Sequence, residues 1–307
     1  MSQHDSARIE ELTAAVCSAS DPTDALEALT DALSEVGDGR ALYLREQNVL
    51  RSADPDTGAR GKSLARLRAS YPSKHRGWLA SMEDVGAIEG NLTGMPSGWW
   101  GQELPGRSAE GTYSRYDLRK LPPLPRAAID SDLPWLRDAP DPGGDPTGSC
   151  QSEPWALLLS SLEAKGYRLP IALRTLMTHE EMQRAIPAPT ANYFIGAGDD
   201  GGETNAANLQ EIREGVLFLP FYSDQQCCVR WGLWLSRDER GYAPVIAASL
   251  DFGEEGDGPV TYVNFEFSAA TVESFVYRTW VENRIWFATK FCQPPRELLE
   301  FEKDYLG

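Results

Sequence analysis

Residues 218–235 read FLPFYSDQQCCVRWGLWL, two runs rich in aromatic and aliphatic residues joined by a short polar turn. From Val229 to Leu235 successive side chains divide between two faces, the period of two that a β-strand produces. The polar tip at residues 224–226 favours a tight turn, because short polar side chains hydrogen-bond to nearby backbone. The stretch therefore predicts a β-hairpin.

This hairpin belongs to a block of predicted strands with helices before and after it. Short polar turns join the last four strands, which implies an antiparallel meander. Helices are predicted over residues 152–185 and from a cap at Ser268 to about Phe291. This order predicts an α+β fold. The predicted strands are residues 192–196, 215–222, 227–235, 243–250 and 259–266.

The last helix contains FVYRTWVENRIWFA at residues 275–288, an unusually aromatic stretch. Its large apolar residues, through Phe291, recur at helical spacing and are expected in the core. Arg278 and Glu282 are four residues apart, a spacing that allows an ion pair on a helix surface.

Composition along the chain predicts three parts. Residues 1–85 have helical patterns, whereas residues 86–150 are rich in Pro, Gly and Trp. The tryptophans predict that this middle part packs as irregular structure up to about residue 137, with a flexible joint at 138–150. Residues 151–307 then form an α+β domain.

The chain of 307 residues is acidic, with a net charge of −17. Such a charge argues against general nucleic-acid binding, which needs a basic face. It suits a partner with a basic surface, or it serves solubility alone. Residues 1–38 carry −8 and residues 40–76 carry +6, so an acidic helical hairpin is expected to face a basic one.

Cofactor, metal and membrane sites are not expected. The five cysteines show no CxxC spacing, and the second histidine of an HExxH helix after His179 is replaced by Gln183. Neither a signal sequence nor an apolar run of about 18 residues occurs. We expect a cytoplasmic protein with reduced thiols, no cofactor and no membrane association.

A catalytic role is the alternative to a binding role. Cys227 or Cys228 with His179 as a base, or a pair of carboxylates, would supply a nucleophile or acid–base chemistry. Small core residues are the ordinary use of adjacent strand cysteines, since one of the two must face inward. We expect a protein that is not an enzyme.

Two loops and two tryptophans are the candidate partner-binding groups. Adaptable polar side chains beside aromatic ones make good contact surfaces, and an acidic loop steers a basic partner; ordinary solvated turns are the alternative for both loops. The candidates are Asp224, Gln225, Gln226, Trp231, Trp234, Glu254, Glu255 and Asp257.

Two segments resemble the SUKH superfamily, which includes bacterial toxin-immunity proteins and fungal cell-wall regulators. They are PFYSDQQ at residues 220–226 with the following Trp-x-x-Trp strand, and YRTWVEN at residues 277–283 followed by Trp286-Phe287. The likeness covers about residues 152–291. Residues 26–82, with GDGRALYLR at residues 37–45, are similar to a short helical domain that accompanies such modules in bacteria.

The resemblance implies a mixed α+β domain without catalytic machinery. Bacterial members bind and neutralise toxins of diverse kinds, so a protein partner, a toxin or another protein with a basic surface, is expected. The additional N-terminal half departs from a one-domain immunity protein and suggests a larger adaptor or defence-associated protein.

Overall fold

The computed structural model has the α+β architecture that the order of predicted elements implies. It describes residues 2–19, 21–52, 58–84, 88, 95–107, 114–139, 152–188, 192–196, 209–237, 242–251, 261–292 and 294–307. The helices are α1 (Gln3–Ser18), α2 (Thr23–Glu35), α3 (Arg40–Ser52), α4 (Gly58–Ser70), α5 (Arg76–Asp84), α6 (Arg126–Ile129), α7 (Pro134–Arg137), α8 (Ser152–Ala164), α9 (Ile171–Thr178), α10 (Glu180–Arg184), α11 (Val272–Trp286) and α12 (Glu300–Leu306). The strands are β1 (Trp99–Gly101), β2 (Ser114–Tyr116), β3 (Tyr193–Phe194), β4 (Gln210–Arg213), β5 (Val216–Ser223), β6 (Val229–Ser236), β7 (Val245–Asp251) and β8 (Thr261–Ala269).

The main sheet is an antiparallel meander of β5, β6, β7 and β8 in chain order, as the short polar turns predict. β3 and β4 both pair with the free edge of β5, at opposite ends of that strand. Strand β4 is not among the predicted strands, because its four residues are too few for the alternating pattern and two of them are charged.

The sheet curls until its outer strands meet. Phe218 on β5 lies 4.8 Å from Tyr262 on β8, measured between ring centroids, although β6 and β7 separate the two strands. A flat sheet would hold these strands about 14 Å apart. The Tyr262 N–H also donates to Gln210 Oε1 of β4 at 2.6 Å. Trp234 and Phe265 share the space inside the curl, 5.8 Å apart.

Helix α11 covers the outer face of the sheet. Its Phe275 ring lies 6.1 Å from Trp231 on β6 and 5.5 Å from Phe221 on β5. The helix begins after Thr271, whose hydroxyl accepts a hydrogen bond from the Ser274 N–H in a capping box. The expected cap at Ser268 is therefore wrong by three residues, because β8 continues to Ala269.

The middle part of the chain packs against this layer of sheet and helix. Pro96 and Gly98 exchange backbone hydrogen bonds with Phe267 of β8, and β1 pairs with β2 beside them. Buried apolar side chains form one continuous cluster from Ile9 to Tyr305. The three-part division of the sequence stays a prediction, and residues 140–150 of the expected joint lie outside the described residues.

Helices that could cross a membrane were sought in the described ranges. None of them is both long enough and apolar enough for that.

Gly232 allows the close packing inside the curl. A Cβ at this position would lie 2.6 Å from the Leu219 carbonyl oxygen and 2.7 Å from the Phe218 ring. We expect Gly232→Ala to lower the free energy of unfolding by about 1–3 kcal/mol, because either neighbour must shift. Urea unfolding followed by tryptophan fluorescence measures the loss. Gly39→Ala is the control, because a Cβ there meets nothing within 4 Å; equal stability of the two variants would contradict the expectation.

Candidate functional site

The turn between β5 and β6 carries three of the candidate partner-binding residues. Asp224 is only 4% exposed, and its carboxylate accepts hydrogen bonds from the Val229 N–H at 2.8 Å and the Gln226 N–H at 3.3 Å. Gln225 and Gln226 are exposed. Asp224 therefore holds the turn in shape, and the two glutamines are the side chains that a partner can reach.

The two candidate tryptophans lie in the core. Trp231 is 2% exposed and Trp234 is 5% exposed, because α11 covers one face of β6 and the curl of the sheet encloses the other. The expected aromatic contact surface beside the tip is therefore absent from this conformation. The remaining candidates, Glu254, Glu255 and Asp257, lie outside the described residues.

A cluster of polar side chains lies under the same turn and is not found by the sequence analysis. The Tyr193 hydroxyl is 3.1 Å from Cys227 Sγ, and the buried Arg230 donates to the Tyr262 hydroxyl at 2.8 Å. Burial and the neighbouring Cys227 raise the pKa of Tyr193, so the phenol keeps its proton. In the sequence, the feature that could have pointed to this cluster is Arg230, a charged residue between apolar neighbours in a predicted strand.

The proposed cysteine–histidine pair does not form. His179 is exposed, and its Nδ1 lies 3.0 Å from the Thr175 carbonyl oxygen and 3.1 Å from the Thr178 hydroxyl, both in its own helix. The contact of the Cys227 thiol is Tyr193 instead. This geometry does not place an imidazole where it could accept the thiol proton.

Arg278 and Glu282 do not form the surface pair that their spacing allows. They are 2% and 1% exposed. Arg278 donates to the Pro122 carbonyl oxygen at 3.1 Å and to the Tyr305 hydroxyl at 2.9 Å. These contacts join the middle part of the chain and α12 to α11. The charged groups of Arg278 and Glu282 therefore hold elements of the core together.

The Glu282 carboxylate is the centre of this buried network. Oε2 accepts from Trp99 Nε1 at 2.9 Å and from the Gln102 N–H at 3.3 Å. Oε1 accepts from the Tyr305 hydroxyl at 2.6 Å and from Arg107 at 3.3 Å. Burial raises the pKa of Tyr305 well above its usual range, so the phenol remains a donor. The network holds the middle part of the chain and α12 against α11.

A narrow cavity lies between this network and the sheet. The side chains of Trp99, Tyr222, Asn192 and Phe275 contribute to its lining, and its free space holds about one water molecule. Small-molecule sites in proteins enclose hundreds of cubic ångströms, so the cavity does not accept a substrate-sized ligand in this conformation.

Aromatic side chains reach the surface where α11 ends in a π-helical turn, Phe287–Phe291. Phe291 is 66% exposed, so the expectation that it lies in the core is wrong. Its ring lies 5.5 Å from Phe287 and 6.2 Å from the partly buried Trp286. The wider π-helical turn breaks the spacing on which the expectation rested.

An acidic surface lies on α1 and α2, which pack as an antiparallel hairpin. Apolar residues of both helices face the core, and acidic residues face solvent. Among the ion pairs of the described residues, five of these exposed carboxylates have no cationic partner. The five are Glu10, Glu11, Asp24, Glu27 and Asp31.

The described basic side chains of α3 and α4 do not pair with the outer carboxylates of this hairpin. Arg8 pairs with Glu35 within the hairpin, and Arg66 pairs with Glu46 between α4 and α3. Between α3 and α2, Arg45 donates to the Ser34 hydroxyl at 2.8 Å instead of to a carboxylate. The acidic and basic segments are thus joined by the Arg40–Asp38 ion pair at their junction and by this neutral contact. Among the described residues, the outer carboxylates of the hairpin stay without a cationic partner.

A groove of about 370 Å³ opens to solvent between the start of α1 and the end of α2. Ile9 and Val36 form its apolar floor, and the carboxylates of Asp5 and Glu35 lie at its edges. Arg8 also lines the groove and already pairs with Glu35. The Asp5 carboxylate and the apolar floor are therefore what the groove offers to a long side chain with an apolar stem and a cationic end.

The function cannot be assigned from a metal site in the described residues or from a known relative. In the described part of the chain, no three His, Cys, Asp or Glu side chains come together as metal ligands. Comparison with family models, with curated proteins and with solved structures finds no match.

Proposed function

We propose that this protein is a non-enzymatic binding module of the SUKH-like immunity or defence-associated kind, which binds a protein partner with a basic surface. The observation that carries the proposal is the open acidic face of α1 and α2, with unpaired carboxylates on both helices. The resemblance of residues 152–291 to the SUKH superfamily supports the class of partner, a toxin or another protein.

Electrostatics determines where the partner first meets the protein. A net charge of −17 attracts basic surfaces from a distance, and the hairpin concentrates that charge on one face. The groove between the helices gives a lysine or arginine of the partner a place to insert. Gln225 and Gln226, at the β5–β6 turn, are a second and uncharged surface that the same partner can contact.

Charge reversal on the hairpin tests the proposal. The variant replaces Glu10, Glu11, Glu27 and Asp31 with lysine. Its matched control, which changes the net charge equally, replaces four exposed carboxylates on other elements with lysine: Asp132, Asp138, Glu214 and Asp304. Each protein, checked for fold by circular dichroism, is used as bait in a lysate of the native host, and the retained proteins are quantified by mass spectrometry.

The expected result is a basic protein retained by the native chain and the control but not by the hairpin variant. With that protein purified, we expect at least about a tenfold weaker Kd for the hairpin variant, through slower association that raised salt also slows. Equal affinity of native and hairpin variant would place the interface elsewhere. A native chain that retains no protein above background would overturn the binding proposal itself.

A further inference from the structure

Cys227 occupies an unusual position in the β5–β6 turn. Its φ angle is +56°, in the left-handed region that costs a residue with a side chain about 1–2 kcal/mol. The backbone is held there by the Cys227 N–H, which donates to the Asp224 carbonyl oxygen at 3.1 Å. This strained backbone turns the thiol back under the hairpin toward β3, where the Tyr193 hydroxyl lies 3.1 Å from the sulfur.

A buried cation, Arg230, follows Cys227 by three residues in the chain and contacts its sulfur. Arg230 is 2% exposed, and its polar contacts are the Tyr262 hydroxyl and the Cys227 sulfur. Its Nε has no hydrogen-bond partner, and no carboxylate among the described residues pairs with it. Burial disfavours the charged guanidinium, but Tyr262 and Cys227 outweigh that effect and raise the pKa of Arg230. The guanidinium can therefore bind an anion, and the residues of the turn place no carboxylate against it.

We propose that Cys227 is a site of oxidation by peroxides, with Arg230 and Tyr193 holding the sulfenic acid that forms from it. The Tyr193 hydroxyl lies 3.1 Å from the sulfur and the buried Arg230 has an unused Nε donor, so both are available to hydrogen-bond the oxygen that the sulfur gains. The thiol is only partly buried, so a molecule as small as hydrogen peroxide reaches it.

The reaction is a two-electron oxidation of the sulfur. The thiolate attacks one oxygen of the peroxide, an S–O bond forms, and the O–O bond breaks. The leaving hydroxide is neutralised by the proton that the thiol released to solvent when it ionised, so the net products are the sulfenic acid and water. The guanidinium stabilises the negative charge as it moves from sulfur to the departing oxygen. Cellular thiols reverse the change by forming a mixed disulfide that is then reduced.

Cys228 is an internal control for the reactivity of Cys227 toward peroxide. It is the neighbouring residue, it is exposed, and its sulfur lies 3.8 Å from the Gln226 carbonyl oxygen. A carbonyl oxygen does not stabilise a thiolate. Exposure alone would make Cys228 the more reactive of the two, whereas the surroundings of Cys227 predict the opposite order. The proposal is independent of the proposed partner binding.

The test is site-resolved trapping of sulfenic acid. The full chain is treated with an equimolar amount of hydrogen peroxide in the presence of dimedone, and labelling of each cysteine is followed by peptide mass spectrometry. We expect Cys227 to label about tenfold faster than Cys228. Labelling of Cys228 at an equal or higher rate would overturn the proposal.

Two variants separate the proposed role from simple exposure. Tyr193→Phe removes one hydroxyl from a partly buried ring, and we expect it to slow the labelling of Cys227 about threefold while that of Cys228 is unchanged. Cys228→Ser should leave Cys227 labelling at the native rate. An unchanged rate at Cys227 in a folded Tyr193→Phe protein would contradict the proposal. Arg230→Gln, used if circular dichroism shows that it folds, should slow Cys227 further.

Discussion

Replacing Glu282 with leucine will lower the free energy of unfolding by about 3–5 kcal/mol, the usual cost of removing one partner from a buried charged network. The carboxylate accepts hydrogen bonds from Trp99, Gln102, Arg107 and Tyr305. Leucine fills a similar volume but leaves all four donors without an acceptor, and unpaired buried donors lose their hydration without compensation. Chemical unfolding monitored by circular dichroism measures the change.

Glu297→Leu is the matched control, because its side chain is 88% exposed and pairs only with Lys303. We expect its effect to stay within about 0.5 kcal/mol. Glu282→Gln keeps an acceptor and should fall between the two. A loss below about 1 kcal/mol for Glu282→Leu would show that the network does not hold the middle segment to α11.

The Glu302 carboxylate will stabilise the folded state at neutral pH, and this stabilisation will be lost in acid. It is fully buried and accepts from Arg284 at 2.9 Å and from Arg296 at 2.8 Å. Burial alone would raise the pKa of Glu302, but the hydrogen bonds from Arg296 and the Leu299 N–H and the charges of both arginines outweigh it, so the pKa lies below its usual range. Because the folded state holds the proton more weakly than the unfolded state, the stabilisation is complete above the unfolded pKa, about 4.3 for glutamate. It is lost as the pH falls through the folded pKa.

Glu302→Gln tests this, since it cannot ionise at any pH. At pH 7 we expect a loss of about 3–5 kcal/mol relative to the native chain, because Arg284 is only 2% exposed and loses its charged partner. The gap between the two proteins should narrow as the pH is lowered from 5 to 3, measured by thermal unfolding. Glu180→Gln, at an exposed carboxylate paired with Arg184, is the control and should show no comparable gap. A gap for Glu302→Gln that is constant over this range would contradict the expected linkage.

The short polar tips and the alternation of side chains were enough to predict the meander of β5 to β8. Each feature depends on neighbours in the chain, and local geometry dictates a period of two or a tight turn whatever the rest of the fold does. The aromatic helix was predicted for the same reason. The candidate residues of the site were predicted less well, because exposure is not a local property.

Trp231 and Trp234 illustrate that difference. Alternation placed them on opposite faces of one strand and left open which face meets solvent. The curl that brings Phe218 to Tyr262 and the docking of Phe275 on Trp231 bury both, and each contact joins residues distant in sequence.

The sequence by itself determined the α+β class, the order of the elements and the acidic charge, since these follow from residue types and their spacing. The tertiary structure alone decided that Glu282 and Arg278 are interior, that exposed carboxylates such as Glu10 and Glu27 have no cationic partner among the described residues, and that Cys227 contacts Tyr193 and Arg230. Burial and charge pairing depend on which segments meet across the fold, and segments tens to hundreds of residues apart leave no mark of their meeting in a local pattern.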